Sequence, residues 1–209
     1  MPFGLKNAPA TFQRVMDNVL REFLGKTCVI YLDDILIFST SLQEHAESLD
    51  KILKKIQSFN LKIQLDKCDF FKKETCYLGH VITTEGVKPN PEKIKAIKLW
   101  PLPKTEKELR GFLGLLSYYR KFIRDFAKII KPMTIQLRKN EKISHNKEFV
   151  TAFEKCKIIL ASSDILAYPD YEKPFILTTD ASNFAIGAVL SQGPVGMDKR
   201  VCFASRTLS

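Results

Sequence analysis

Two adjacent carboxylates, Asp33 and Asp34, lie at the centre of an apolar run that extends from Cys28 to Phe38. Burying an unpaired carboxylate is costly, so two in succession require a turn that is open to water, to cations or to a bound metal. Four apolar or aromatic residues flank the pair on each side. This pattern predicts a strand, a two-residue turn and a second strand, with both carboxylates at the hairpin tip. Aspartate also favours turns for local reasons, so this run alone leaves both a simple turn and a metal site open.

Two other groups of residues could bind a metal. Asp180 follows the apolar stretch 175–179, where it could be either a turn residue or a ligand. Cys68, Cys76 and His80 have ligand chemistry, but their spacing differs from that of a zinc finger and a fourth ligand is missing. We therefore predict no zinc site there.

The positive charge of the chain is concentrated in one segment. The net charge is +10, from 33 Lys and Arg against 23 Asp and Glu. Residues 86–145 contain 15 Lys or Arg and 5 Asp or Glu, so the remainder balances 18 against 18. A localised basic surface is what a phosphate backbone attracts, although a merely solvated helical face has the same composition.

Composition favours a folded, intracellular protein. The chain has 209 residues and is 45% hydrophobic, which is ample for a packed core. No apolar run approaches the roughly 20 residues of a membrane span, and no secretory leader is evident. The five cysteines are odd in number and contain no C-x-x-C pair, which favours reduced thiols inside the cell. We expect no contact with a membrane.

The elements around the aspartate pair form an α+β arrangement. Apolar residues at helical spacing predict an amphipathic helix over 8–24, with Pro9 in its first turn. Ser41 and Glu44 form a possible capping box for a second helix. The segments 61–65 and 77–83 have the patterns of short strands. Together these elements predict an antiparallel sheet backed by helices.

Four prolines between residues 87 and 104 indicate a subdomain boundary near residue 87. Asn90 with Pro91 predicts a short helix, and Thr105 with Glu108 predicts a long one. One face of the long helix is apolar and forms the packing face, with Leu109, Phe112, Leu113, Leu116, Tyr119, Phe122, Ile123 and Phe126. The opposite face carries basic and small residues, namely Lys107, Arg110, Gly111, Gly114, Ser117, Tyr118 and Lys121. Glycine is unfavourable inside a helix, so these glycines indicate close approach of another backbone, either a neighbouring helix or a nucleic-acid strand.

The last part of the chain predicts a further helix over 149–160, followed by strands at 175–179, 187–190 and 201–204. The sequence stops before any helix that could cover this second sheet. We therefore expect a truncated domain.

These motifs together resemble the reverse transcriptases of gypsy-like long-terminal-repeat retrotransposons, over essentially the whole chain. Residues 1–13 resemble the nucleotide-pocket motif, 31–34 the metal-binding palm motif, and 65–68 the palm motif that follows it. Residues 77–80 resemble the primer grip, and 108–122 the thumb helix that follows the minor groove of the template–primer duplex. Residues 179–182 and 187–190 resemble the first two strands of a tethered ribonuclease H domain.

The resemblance implies two Mg²⁺ ions, dNTPs and an RNA or DNA template–primer as cofactors and partners, within a Pol polyprotein. It implies roles for individual residues, as follows: Asp33 and Asp34 as metal ligands, Lys67 as a proton donor to pyrophosphate, Asp180 as a metal-binding carboxylate of ribonuclease H, Phe3, Gly4 and Gln13 at the nucleotide, and Tyr31, Tyr77, Leu78, Gly79, His80, Lys107, Arg110, Gly111, Gly114, Tyr118 and Lys121 at the primer or template.

The implied domains are part of the palm without fingers or first palm strand (1–86), a helical thumb (87–140), a connection (141–172) and the start of a ribonuclease H-like domain (173–209). Both metal sites of the family need further carboxylates, so we expect these 209 residues alone to catalyse neither reaction. A non-catalytic nucleic-acid-binding protein derived from a retroelement is the alternative. A generic α+β core with a solvated basic face is a third possibility.

Overall fold

The computed structural model describes residues 4–137, 143–162 and 165–208. Within them lie six α-helices, eight strands and two short 3₁₀ helices, and every strand pair given below is antiparallel. The chain divides into two compact units, Met1–Tyr77 and Leu78–Ser209. The mixed α+β class with antiparallel sheets confirms the predicted fold class. No helix among the described residues is long and apolar enough to cross a membrane.

The first unit packs a hairpin against two helices. Its elements are α1 (Ala8–Val19), β1 (Cys28–Tyr31), β2 (Asp34–Ile37) and α2 (Leu42–Ser58), followed by a 3₁₀ turn at Leu65–Lys67 and β3 (Thr75–Tyr77). Six buried residues form the centre of its core: Met16, Val19, Leu20, Cys28, Ile52 and Ile56. The hairpin contributes one face to this core, because Cys28 pairs with Ile37 and Ile30 with Ile35.

The first helix ends five residues before the predicted position. After Val19 the chain turns, and the carbonyl of Phe23 accepts hydrogen bonds from the N–H groups of Thr27 and Cys28. Leu20 and Phe23 still pack in the core although they lie outside the helix. The apolar pattern therefore extends beyond the helix because Leu20 and Phe23, in the turn that follows it, also pack in the core.

One strand prediction in this region is wrong, and a second is only partly correct. Residues 61–64 form no strand, and Leu65 begins the 3₁₀ turn with 69% of its surface exposed. No described strand pairs with this segment. A single strand has no partner for the backbone hydrogen bonds that stabilise a sheet. The segment 77–83 is interrupted by Leu78 and Gly79, which separate β3 from β4 (His80–Ile82).

The second unit begins with β4 and its antiparallel neighbour β5 (Val87–Pro89). The sequence did not indicate β5, because proline is normally excluded from strand interiors. Next come α3 (Pro91–Lys98), α4 (Glu106–Tyr118), a 3₁₀ turn at Arg120–Phe122, α5 (Phe126–Ile135) and α6 (Lys147–Ala161). The predicted caps are confirmed, since Ser41, Asn90 and Thr105 each accept a hydrogen bond from a backbone N–H of the helix that follows.

The predicted long helix is divided into α4 and α5. The chain leaves helical geometry after Tyr118, and Asp125 adopts a left-handed backbone with φ of 56° immediately before α5. The apolar residues on both sides of the break still pack into one core with α6, which includes Phe112, Phe149 and Phe153. The core pattern was therefore correct although the continuous helix was not.

The last sheet has the order β6 (Ile176–Ala181), β7 (Ala185–Gln192), β8 (Lys199–Thr207), and all three predicted strands are confirmed at greater length. Its inner face contacts the helical core through Phe203, and Ser205 accepts a hydrogen bond from the N–H of Ala127 in α5 at 2.9 Å. Its outer face exposes Leu177 and Ile186. Asp180 lies inside β6 instead of following it.

Candidate functional site

The hairpin that carries the aspartate pair turns at Leu32 and Asp33. Tyr31 pairs directly with Asp34, which is the first residue of β2. The prediction that both carboxylates form the tip is therefore off by one residue. Leu32, the first turn residue, has a positive φ of +54°.

Gln13 of α1 holds this turn through two hydrogen bonds, and a third orients its amide. Its Oε1 accepts the N–H of Leu32 at 2.5 Å, and its Nε2 donates to the carbonyl of Ile30 at 3.4 Å. The same Nε2 donates to Oδ1 of Asp17 at 2.8 Å, which orients the amide. A left-handed leucine is unfavourable, so these bonds help to offset the strain of the turn. The structure thus places Gln13 under the aspartate turn.

Asp33 and Asp34 are solvent-exposed, and neither carboxylate accepts a hydrogen bond or forms an ion pair with another described residue. Exposed carboxylate oxygens are the hard donors that Mg²⁺ prefers, so their chemistry fits a divalent cation. The described residues contain no cluster of three or more His, Cys, Asp or Glu placed to hold a metal. Water, substrate oxygens or another protein group would have to complete the coordination of an ion bound here.

Two tyrosines accompany Asp34. Tyr31 lies opposite it in the hairpin and is 52% exposed. Burial raises the pKa of the Tyr77 hydroxyl, and the negative charge of Asp34 raises that pKa further. Tyr77, which the sequence placed in the primer grip, is therefore electrostatically coupled to Asp34. The sequence pattern of β3 alone does not indicate that Tyr77 lies near Asp34.

The other predicted residues of the first unit are less constrained. Gly4 has φ of +89° and is exposed, with no atom within 4 Å of where a Cβ would lie. Phe3 lies outside the described residues. Lys67 is exposed at the end of the 3₁₀ turn Leu65–Lys67.

The predicted primer-grip residues Leu78, Gly79 and His80 begin the second unit. Leu78 and Gly79 both have positive φ, 46° and 70°. The His80 ring lies among aromatic rings of α4 and the following turn, at 5.2 Å from Tyr118 and 5.6 Å from Tyr119 and Phe122. Burial lowers the pKa of His80, and the nearby positive charge of Lys121 lowers it further, against a backbone hydrogen bond to Leu78 that raises it.

The exposed stripe of α4 contains Lys107, Gly111, Gly114 and Tyr118. A Cβ at Gly114 would meet no atom within 4 Å, and one at Gly111 would meet only Trp100 at 3.8 Å. No described helix therefore packs closely on the two glycines. This finding removes a neighbouring helix of the described chain as the reason for glycine at Gly114.

Two of the predicted basic residues are already engaged. Nε and Nη2 of Arg110 lie 2.7 and 2.6 Å from the same oxygen of Glu106. Lys121 is half-buried beside Phe122, with Nζ 5.2 Å from the ring centroid, and burial lowers its pKa. Lys107 remains exposed on the stripe, so the structure does not bring the predicted cations together as one row.

Asp180 shares a small cavity of about 40 Å³ with Asp125, Lys128, Ser182 and Ser205. Asp180 pairs with Gly187 in β7, and a Cβ at Gly187 would lie only 2.9 Å from Oδ1 of Asp125. The absence of a side chain at Gly187 thus leaves room for the Asp125 carboxylate in this cavity. Asp125 was not among the predicted site residues, because it lies 55 positions away in sequence.

The chain resembles known proteins in two segments. Residues 1–82 match the family described as reverse transcriptase (RNA-dependent DNA polymerase). Residues 146–209 match the RNase H-like domain found in reverse transcriptase.

Proteins that are similar to this chain over its whole length include retrovirus-related Pol polyproteins of Drosophila melanogaster. The chain is 56% identical over its full length to the polyprotein from transposon 297 and 44% identical to that from transposon gypsy, covering 20% and 21% of them. It is 38% identical to the transposon Tf2-3 polyprotein of Schizosaccharomyces pombe, over 92% of the chain and 14% of the polyprotein. The chain thus spans about a fifth of the length of the Drosophila relatives.

Solved structures of a viral reverse transcriptase have a similar fold. The fold matches a foamy viral protease–reverse transcriptase in complex with an RNA/DNA hybrid, with TM-score 0.84 and 27% identity over 100% of this chain and 28% of the viral one. A second structure of that viral protein, in complex with double-stranded DNA, matches with TM-score 0.89 and 27% identity, over 100% of this chain and 36% of the viral one.

Proposed function

Because this chain belongs to the reverse transcriptase family of gypsy-like retrotransposon Pol polyproteins, we propose that it supplies part of the catalytic centre and the duplex-binding surface of an RNA-directed DNA polymerase. The observation that carries the proposal is the hairpin turn held by Gln13, which presents two exposed, unpaired carboxylates. Its substrates are dNTPs and a primer on an RNA or DNA template.

Asp33 and Asp34 hold divalent cations in this proposal, and two Mg²⁺ are the expected complement. When bound, such ions activate the 3′-hydroxyl of the primer and stabilise the leaving pyrophosphate. The protein contributes position. Gln13 fixes the turn, and the β1–β2 ladder fixes Asp34 opposite Tyr31. In this proposal the exposed Tyr31 side chain contacts the primer end.

Gly4 and Phe3 contact the nucleotide in this proposal, with Gln13 supporting the site from below. The positive φ of Gly4 and the open space beside it allow a ligand to approach the backbone closely. Lys67 acts as the proton donor to the leaving group, which its exposure permits.

The exposed stripe of α4 binds the duplex. Gly111 and Gly114 leave the helix backbone accessible, and Lys107 supplies a positive charge beside them. In this proposal the residues from β6 onward belong to a ribonuclease H-like domain in which Asp180 is a metal-binding carboxylate. We retain the palm, thumb, connection and ribonuclease H boundaries at residues 86, 140 and 172 as part of this proposal.

A chimera tests the catalytic role directly. This chain replaces the matching segment of the transposon 297 polyprotein, and primer extension on an RNA template is measured with Mg²⁺. We expect the chimera to extend the primer, and Asp33→Asn or Asp34→Asn to abolish extension. Asp50→Asn is the control, since Asp50 forms only an exposed pair with Lys54 on α2.

Persistent extension by the Asp33→Asn chimera would overturn the assignment of that carboxylate. An inactive chimera that still binds an RNA/DNA hybrid would favour the non-catalytic binding protein. Circular dichroism of each variant distinguishes loss of chemistry from loss of the fold.

A further inference from the structure

Two adjacent tyrosines at the end of α4 bind the turn that separates β3 from β4. The hydroxyl of Tyr118 donates to the carbonyl of Leu78, and the hydroxyl of Tyr119 donates to the carbonyl of Gly79 at 2.8 Å. The residues they join are 40 positions apart in sequence. The hydroxyls of two consecutive tyrosines thus bind the carbonyls of two consecutive turn residues.

Each of these carbonyls accepts a second hydrogen bond. Nδ1 of His80 lies 2.8 Å from the Leu78 carbonyl, and because a carbonyl only accepts, Nδ1 carries the proton. The Gly79 carbonyl also accepts the N–H of Asn90 at 3.3 Å. A carbonyl oxygen has two lone pairs, so both acceptors of the turn are fully used.

The turn and the tyrosines also fit each other sterically. A Cβ at Gly79 would lie 3.3 Å from both Cε1 and the hydroxyl of Tyr118, and 3.5 Å from the hydroxyl of Tyr119. The ring planes of Tyr118 and Tyr119 are nearly perpendicular, with centroids 5.0 Å apart. A Cβ at Gly79 would therefore press on the ring and hydroxyl of Tyr118, whereas its contact with the Tyr119 hydroxyl would be an ordinary van der Waals contact.

The Tyr119 hydroxyl is buried. Tyr119 is 1% exposed, and burial, with a contribution from Tyr118, raises its pKa to about 12. The hydroxyl therefore remains a donor over the whole physiological pH range.

We propose that Tyr118 and Tyr119 are positioning residues that fix the Leu78–Gly79 turn to α4, so that the primer-grip turn and the duplex-binding stripe form one rigid surface. Holding the Leu78 carbonyl toward α4 directs the N–H of Gly79 away from the helix, because the two groups of a trans peptide point in opposite directions. The turn thus presents the Gly79 N–H in a fixed direction to a nucleic-acid strand. This inference rests on the proposed function, because it assigns a partner to the turn.

The experiment uses the full chain with Tyr118→Phe, Tyr119→Phe and both changes together. Phenylalanine removes only the hydroxyls and keeps the rings. Tyr171→Phe is the matched control, because Tyr171 is 82% exposed in the same unit. Affinity for a fluorescein-labelled RNA/DNA hybrid is measured by anisotropy at several salt concentrations, and the Gly79 and His80 amide signals are followed by NMR.

Each single change removes one neutral hydrogen bond, so we expect about fivefold weaker hybrid binding for each and a larger loss for the double variant. We also expect a shift of the Gly79 amide signal. In the transposon 297 chimera the double variant should raise KM for primer–template and leave kcat unchanged, because the metal-binding carboxylates are intact.

Wild-type affinity in the double variant, with the Gly79 signal displaced, would overturn the positioning role. An undisplaced Gly79 signal would show that the hydroxyls do not fix the turn. If wild-type chain itself shows no salt-dependent hybrid binding, the proposed function fails instead, and the NMR signals still test the turn contacts. The single variants remain informative if the double variant unfolds.

Discussion

The side-chain oxygen of Gln13 lies 2.5 Å from the backbone nitrogen of Leu32, and this contact joins the first helix to the turn that carries Asp33. Nineteen positions separate the two residues. The bond couples a residue with an unfavourable backbone conformation to a rigid helix, so the placement of the carboxylates depends on a residue that has no charge of its own.

Removing this contact should destabilise the turn. Gln13→Ala leaves the N–H of Leu32 without its acceptor, which should lower the free energy of unfolding by about 1–3 kcal/mol. Urea denaturation of the full chain measures the change. Gln43→Ala is the control, since its amide bonds only the exposed side chain of Glu47. Equal stability of the two variants would contradict a supporting role for Gln13.

Gln13→Glu separates the two functions of the amide. The carboxylate can still accept from Leu32, but it cannot donate to Asp17 and adds a like charge 2.8 Å from its former partner. We expect primer extension by the transposon 297 chimera to fall while the chain remains folded.

Gly114→Ala should stabilise the protein and weaken duplex binding. Alanine is about 1 kcal/mol better than glycine inside a helix, and the Cβ would meet nothing within 4 Å. Thermal unfolding should therefore shift upward. Hybrid affinity should fall, because the new methyl group occupies space that a nucleic-acid strand needs. Unchanged affinity in Gly114→Ala would remove the glycine stripe from the duplex-binding surface.

Gly86→Ala should be strongly destabilising. Gly86 has φ of +151°, and a Cβ would lie 2.1 Å from the carbonyl oxygen of Leu166, which accepts the N–H of Val87. We expect a loss of about 3 kcal/mol or more in urea denaturation. Gly196→Ala is the control, because it has a positive φ of +85° but open space around the new Cβ. A similar loss in both would attribute the effect to backbone strain alone.

Stability should decrease on acidification because of His80. Burial lowers its pKa in the folded chain, so the unfolded chain binds more protons as the pH falls below about 6.5, the ordinary histidine value. The stability contributed by neutral His80 is therefore complete above that pH and is lost as the pH falls toward the folded-state pKa. Lys121, Tyr118 and Tyr119 are the titratable groups beside the ring.

Unfolding midpoints measured between neutral and mildly acidic pH test this expectation. His80→Gln should flatten the dependence, although it costs stability at neutral pH through lost packing. His45→Gln is the control variant, because the His45 ring contacts Phe71 in the first unit. A pH profile that stays unchanged in His80→Gln would assign the acid sensitivity to other groups.

Local contacts were predictable from the sequence, whereas distant ones were not. The caps at Ser41, Asn90 and Thr105 involve atoms no more than three residues away, so the sequence pattern contains the whole interaction. The hairpin register is different. Aspartate favours turns, which placed the tip one residue too late, and the distant Gln13 stabilises the tip at Leu32 and Asp33.

Tyr119 illustrates the same limit at the candidate site. Helical spacing assigned it correctly to the packing face, and it is buried. A tyrosine at such a position needs a partner for its hydroxyl, which is a usable signal, but nothing in the spacing identifies Gly79 as that partner. Asp125 was missed for a related reason, because its proximity to Gly187 depends on how α5 packs on the sheet.

The exposed outer face of the β6–β8 sheet determines how this chain should behave when it is handled in solution. Leu177 is 65% exposed, and Ile186 pairs with Ala181, which lies on the same face as Leu177. An exposed apolar surface on a sheet promotes self-association. We expect sedimentation velocity to show larger species as concentration rises, and Leu177→Lys to reduce them. Binding measurements on the 209-residue chain are therefore best made at low concentration, where self-association contributes least to the titration curve.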